Sequence, residues 1–233
     1  MDDTEELFRE VGLGHLEAVA EILRWAPQLS RARDASSLSI LQFARYMNHD
    51  AILETLIEAG PPLDIFEAAT IDQPATVRDL LSHDPALVAA YSTDGFTALH
   101  FAAHFGSSAA IAALLEGGAN IEAVTRNFLT NMPLHAAAAG GRIEAARLLL
   151  QAGADPNARQ HGGFTALMAA SFANNRELAE LLLAYNANFG VRNDEGKTAA
   201  EVAAGLGNME LAARLRLEER HVDFGYRRSS PGR

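Results

Sequence analysis

The strongest constraint on the fold of this 233-residue chain is an internal repeat of about 33 residues. The segment GFTALHFAAHFG begins at Gly95, and related segments begin at Thr130, Gly163 and Gly196, at spacings of 35, 33 and 33 residues. A leucine-rich segment (LLEGGAN, LLQAGAD, LLAYNAN) follows each of the first three copies. The pattern therefore predicts that each unit forms a turn, a short helix, a tight connection and a longer helix.

The N-terminal half carries the same plan in a less regular form. Related helix-pair segments begin at Leu7, Ser39 and Ile65. The pattern predicts one domain over residues 1–217 that contains seven helix pairs. Their approximate bounds are 1–34, 35–64, 65–93, 94–126, 127–160, 161–193 and 194–217. Residues 218–233 match no repeat, and we expect this tail to be disordered.

A single helix pair of this length is too short to be stable alone in water. Stacking solves the problem, because each pair can bury its apolar face against the next and extend one core. Small alanines such as Ala102 and Ala137 allow the helices to approach closely, and leucines such as Leu99, Leu134 and Leu167 fill the layers between repeats.

TALHFA at 97–102, PLHAA at 133–137 and the GGAN and GAD segments resemble ankyrin repeats, whose unit of about 33 residues joins a β-turn to two helices. The resemblance covers about residues 5–217. It implies an all-α ankyrin-repeat solenoid, in which stacked helix-turn-helix units are joined by β-turn loops. It also implies that the chain binds another protein.

His100 and His104 lie four residues apart, a spacing that can place two metal ligands on one helix face. In the repeat frame, however, His100 and His135 occupy the position that Gln42 and Glu201 fill in sibling repeats. Gln and Glu there complete a capping box with the first residue of the helix. We therefore predict a structural role for His100 and His135, and we expect neither a metal nor a cofactor.

The resemblance implies a concave binding face made of turn tips and the exposed sides of the first helices. His104 and several aromatic residues fall at such positions, and together they could form one apolar patch. Each aromatic side chain could instead pack between neighbouring turns as part of the core. The candidate partner-binding residues are Phe96, His104, Phe105, Asn127, Phe128, Asn131, His161, Phe164 and Phe172.

The connection before the fifth helix pair departs from the repeat pattern. Segment 124–132 is two residues longer than its siblings, and Thr130 and Met132 replace the turn glycine and the capping threonine. A longer loop on the binding side is a natural place for specificity, although neutral drift explains it equally well.

Composition excludes several functional classes. The net charge of −11 and the isoelectric point of about 5.1 argue against nucleic acid and anionic membranes as partners, and favour a partner with a basic patch.

The absence of cysteine excludes disulfides, cysteine zinc sites and thiol nucleophiles. The chain opens without a secretory signal pattern and has no long apolar run. We expect a monomeric, cytoplasmic protein.

The predicted function is that of a noncatalytic protein–protein interaction scaffold. The alternative is an enzyme or a small-ligand or metal-binding protein with a site in the concave groove, built from His104, His161, Asn127 and Asn131. No set of nucleophile, base and orienting residue supports that alternative. An inhibitory or immunity role towards a specific target is equally compatible with the sequence.

Overall fold

The computed structural model describes residues 2–35, 38–60 and 62–217. Over these residues the fold is helical and contains no strand, and its β structure is limited to two isolated bridges, Arg33–Ser39 and Tyr91–Thr97. The predicted all-α fold of stacked helix pairs is therefore confirmed. The chain forms two compact units, of which the first ends at Ala119 and the second begins at Asn120. The single domain with seven unit boundaries stays a prediction.

The first unit contains four helix pairs. Their helices are α1 (Asp3–Leu13), α2 (Leu16–Trp25), α3 (Ile40–Tyr46), α4 (Asp50–Ala59), α5 (Ile65–Thr70), α6 (Pro74–His83), α7 (Ala98–Phe105) and α8 (Ser108–Glu116). The first helices pack in series, with α1 on α3, α3 on α5 and α5 on α7. Among the second helices, α2 packs on α4 and α6 on α8. Short 3-10 helices, Pro27–Arg31 and Pro85–Ala89, follow α2 and α6.

The second unit continues the same plan. Its helices are α9 (Pro133–Ala139), α10 (Ile143–Gln151), α11 (Ala166–Phe172), α12 (Arg176–Ala184) and α13 (Ala199–Gly205), and residues 209–217 are also helical. Helix α11 packs between α9 and α13, and α10 packs on α12. A 3-10 turn, His161–Gly163, lies in the connection before α11.

The tight connection inside each helix pair is made by one residue in the left-handed conformation. Its φ lies between 53° and 81° at all seven connections. Only glycine adopts this conformation without strain, and Asn and Asp tolerate it better than other residues. The residues found there are Gly14, Asn48, Asp72, Gly106, Gly141, Asn174 and Gly207. This residue choice lets the second helix turn back on the first in a few residues.

Several first helices begin with a capping box. The Ser39 hydroxyl accepts a hydrogen bond from the Gln42 amide, and the Gln42 side chain accepts one from the Ser39 amide. Thr198 and Glu201 form the same pair at α13. Each box satisfies two backbone donors that the helix leaves unpaired. The short first helices therefore gain stability at the end that faces the turns.

A polar cluster lies next to the start of α5, where the preceding segment AGPPLD at 59–64 lacks the β-turn pattern of the regular repeats. The Arg31 guanidinium donates to the carbonyls of Ser30 and Leu56 at 3.0 Å and lies 3.5 Å from the Glu67 carboxylate. A β-carbon at Gly60 would come within 2.6 Å of Arg31 Nη1. The cluster thus connects three consecutive repeats in the first unit where their turn pattern fails.

Candidate functional site

Two of the candidate partner-binding residues in the first unit are at least partly exposed. The Phe96 ring is half-buried and packs against His100 and Phe101, with ring centroids 5.9 Å and 5.7 Å away. His104 is half-buried at the end of α7, and its Nε2 lies 2.8 Å from the hydroxyl of Tyr46 in α3. His104 is therefore tied to the side chain of another repeat.

Phe105 is a core residue, so the prediction that it belongs to an exposed aromatic patch is corrected. Its side chain is only 4% exposed. The centroid of the Tyr46 ring lies 4.7 Å from that of the Phe105 ring, and the centroid of the His104 ring lies 5.2 Å from it. These two rings cover Phe105. Of the two alternatives that the sequence leaves open for this residue, the structure selects packing.

In the second unit, the long loop before α9 is held together by its own polar groups. The Thr125 amide donates to the Asn131 carbonyl at 2.9 Å, and the Asn131 amide donates back to the Thr125 hydroxyl at 3.0 Å. The Asn127 side-chain oxygen accepts from the Thr125 hydroxyl and from the Leu129 amide. Asn127 therefore shapes the loop, and this carboxamide oxygen is already engaged.

That loop presents one large apolar side chain. Phe128 is 76% exposed, and its ring stands edge-on to the ring of His161 with centroids 6.3 Å apart. The His161 amide also donates to the Leu129 carbonyl at 3.0 Å. The structure thus brings together Phe128 and His161, which come from consecutive turns.

A groove of about 240 Å³ lies along the seam between α11 and α13. Phe172 and Leu206, which are 62% and 50% exposed, stand at the helix end of the groove, and Phe164 lines it as a half-buried side chain. Its other lining residues are Asn193, Glu195, Lys197, Glu201, Val202 and Gly205. The repeat pattern indicates Phe164 and Phe172 as candidates, whereas the groove that they share is visible only in the structure.

The charged residues along this groove are already paired. Lys197 Nζ lies 2.8 Å from Glu195, and Arg192 lies 2.9 Å from Glu201. The hydrogen bond from Lys197 lowers the pKa of Glu195. The Thr198 amide, which donates to the Glu201 carboxylate, lowers the pKa of that residue. Both carboxylates therefore stay ionised at neutral pH and balance their cations.

The predicted capping role of the two buried histidines is confirmed. His100 Nδ1 accepts from the Thr97 amide at 3.3 Å and lies 2.8 Å from the Thr97 hydroxyl. His135 Nδ1 accepts from the Met132 amide at 3.2 Å, and Nε2 donates to the Ala158 carbonyl at 3.0 Å. Burial lowers the pKa of His135, which keeps the ring neutral in its slot.

Three observations bear on the remaining predictions. Within residues 2–35, 38–60 and 62–217, no group of three or more His, Asp or Glu side chains could hold a metal ion. In the same part of the chain, no helix is long and apolar enough to cross a membrane. The predicted disorder of residues 218–233 lies outside the described residues.

Comparison with known proteins agrees with the repeat geometry. Residues 65–160 and 134–225 match the model of a family described as ankyrin repeats (3 copies). The chain is also similar to the ankyrin repeat domain-containing protein SAT10 of Stachybotrys chartarum, with 30% identity over 174 residues. That alignment covers 73% of this chain and 9% of the relative, so the chain spans less than a tenth of the relative's length.

Proposed function

This chain belongs to the ankyrin-repeat family, and on that premise we propose that it is a noncatalytic scaffold that binds a partner protein with its turn tips and first helices. Ankyrin repeats are generally protein–protein interaction modules, and the family is typically non-enzymatic. We assign the binding face to the candidate residues of the second unit, and the resemblance to ankyrin repeats supports a concave surface for it.

The groove between α11 and α13 carries the proposal. Exposed Phe172 and Leu206 flank it, and large exposed apolar side chains around a depression are typical of interaction sites. Because Glu195 and Glu201 are already paired, a partner does not have to supply counter-charges there. The groove therefore favours an apolar side chain of the partner as the anchor.

The adjacent turns supply specificity. Phe128, with its ring 76% exposed and supported by His161, extends the apolar surface at the tips of consecutive turns. The loop that presents Phe128 is closed by hydrogen bonds between Thr125 and Asn131. A loop that is ordered before binding loses less conformational entropy in the complex, which favours affinity.

Gly205 offers a test that leaves the core intact. A β-carbon at this position meets no atom within 4 Å, and the residue lines the groove. Gly205→Leu should fill the groove, whereas Gly205→Ala should leave it open and retain binding. Both variants should be at least as stable as the wild type, because glycine is the poorer helix former by up to about 1 kcal/mol.

The experiment captures partners from the source organism with the wild type and both variants, and identifies them by mass spectrometry. A partner held by the wild type and Gly205→Ala but lost with Gly205→Leu supports the proposal, and calorimetry then measures its affinity. A partner that binds all three proteins equally shows that the groove is not the binding site.

A further inference from the structure

The first helix pair carries a second groove that sequence analysis did not identify. It lies between α1 and α2, has a volume of about 280 Å³, and is lined on the α2 side by Ala18, Ile22 and Trp25. Trp25, the only tryptophan of the chain, is 57% exposed. Tryptophan is highly buried on average, and together with arginine it dominates binding hot spots. An indole left open beside a groove therefore indicates a contact surface.

Carboxylates form the rest of the groove wall. Glu6 and Glu10 come from α1 and Glu21 from α2. Arg9 lies 3.6 Å from Glu6 and 2.7 Å from Glu10, and His15 lies 2.8 Å from Glu10. Glu21 forms no ion pair with any residue that the structure describes. The groove thus combines an exposed aromatic face, an aliphatic floor and a carboxylate that an incoming cation can reach.

The charge of the chain is concentrated in the unit that holds this groove. Residues 1–119 contain 18 acidic and 6 basic residues, a net charge of −12, whereas residues 120–233 contain 12 acidic and 13 basic residues, a net charge of +1. On α2, Glu17 and Glu21 are spaced four apart, a pattern that destabilises a helix. Glu17 lies in the first turn, where a carboxylate is favourable, but Glu21 lies beyond it. The acidic surface of this unit suits a cationic ligand.

We propose that this groove binds an arginine side chain from a basic segment of a partner protein. The methylene stem would lie along Ala18 and Ile22, and the planar guanidinium would stack on Trp25 and reach Glu21. Arginine fits better than lysine because its flat head both stacks on an indole and pairs with a carboxylate. The site lies on the first unit, so it does not depend on the groove between α11 and α13.

Fluorescence of the single tryptophan gives a direct test. The probe is an acetylated, amidated peptide of sequence Gly-Ser-Arg-Gly-Arg-Ser-Gly, and its control replaces both arginines with citrulline, which has a similar shape and no charge. The arginine peptide should change the emission of Trp25 in a saturable way. The affinity of the citrulline peptide should be lower by about tenfold or more. Equal binding of the two peptides, or no saturable change, overturns the proposal.

Matched variants separate a specific site from general attraction to an acidic protein. Calorimetry should show that Trp25→Leu and Glu21→Gln each weaken binding of the arginine peptide by about fivefold. Glu54→Gln removes the same charge from an exposed position of α4 outside the groove and should weaken binding by less than about twofold. Equal losses from Glu21→Gln and Glu54→Gln overturn the proposal. Far-UV circular dichroism verifies that each variant is folded.

Discussion

The hydroxyl of Tyr46 lies 2.8 Å from Nε2 of His104, although the two residues belong to repeats that are not neighbours in the chain. Tyr46 ends α3 and His104 lies near the end of α7, and Thr70 of the intervening α5 is fully buried. The contact therefore joins α3 and α7 across the end of α5, which packs between them. Both residues occupy positions where the repeat pattern predicts partner binding.

We expect this hydrogen bond to contribute a measurable coupling energy. Tyr46→Phe removes the hydroxyl and keeps the ring on Phe105, and His104→Ala removes the ring nitrogen that lies 2.8 Å from it. In a double-mutant cycle followed by urea unfolding, the coupling should be about 0.5 kcal/mol, as for a partly exposed hydrogen bond. Additive effects of the two substitutions would mean that the hydrogen bond contributes nothing to stability.

Phe105 and Phe172 should respond differently to the same substitution. Phe105→Ala leaves a cavity in the core and should lower the free energy of unfolding by about 3–5 kcal/mol. Phe172→Ala removes a side chain that is 62% exposed and should change it by about 0.5 kcal/mol or less. Urea unfolding measures both values, and similar losses would contradict the burial assigned to Phe105. Partner-binding tests should therefore use Phe172→Ala and avoid Phe105→Ala.

His135 should make stability fall in mild acid. Burial lowers its pKa below the ordinary 6.5, so the folded state binds a proton less readily than the unfolded state does. The stabilisation is present above about pH 6.5 and is lost as the pH falls through the lower folded value. His135→Gln, which imitates Gln42, should remove this loss. Urea unfolding at several pH values compares the two proteins, and parallel pH profiles would contradict the prediction.

Glu67 should have the opposite pH dependence. Burial first, and then the charge of Asp64, raise its pKa above 4.5, and Arg31 at 3.5 Å does not offset them. Its stabilising contribution is therefore present below about pH 4.5 and is lost as the pH rises through the folded value. Glu67→Gln should gain stability relative to the wild type between about pH 4 and pH 7. A difference in unfolding free energy that stays constant over this range would rule out the raised pKa.

Local features of the fold were predicted successfully because they depend on residues close in sequence. The 33-residue period identifies the helix pairs, and its Thr97–His100 spacing identifies a cap that the structure contains. In such a cap, a side chain accepts a hydrogen bond from the backbone amide three residues earlier. The spacing in the sequence is therefore sufficient to predict it. The capping box of Asp64 and Glu67 follows the same rule but was missed, because that repeat lacks the turn that marks the position.

The exposure of the candidate binding residues was predicted only in part. The sequence left exposure and burial open for each aromatic residue; Phe128 and Phe172 are exposed, whereas Phe105 is buried. Phe105 aligns in the repeat with Leu206, which is 50% exposed, so the repeat position alone does not determine burial. The groove beside Trp25 carries no repeat signal, because its lining comes from α1 and α2 of a single irregular pair.

The sequence by itself determined the repeat, the helix pairs, the caps that follow the repeat pattern and the membership of the family, since each depends on spacing within or between neighbouring units. Only the tertiary structure decided which of the candidate binding side chains are covered. Tyr46 lies 4.7 Å from Phe105 and buries it, while Phe172 remains open beside its groove. The burial of a side chain depends on contacts with side chains of other repeats, and the sequence of one repeat does not specify those contacts.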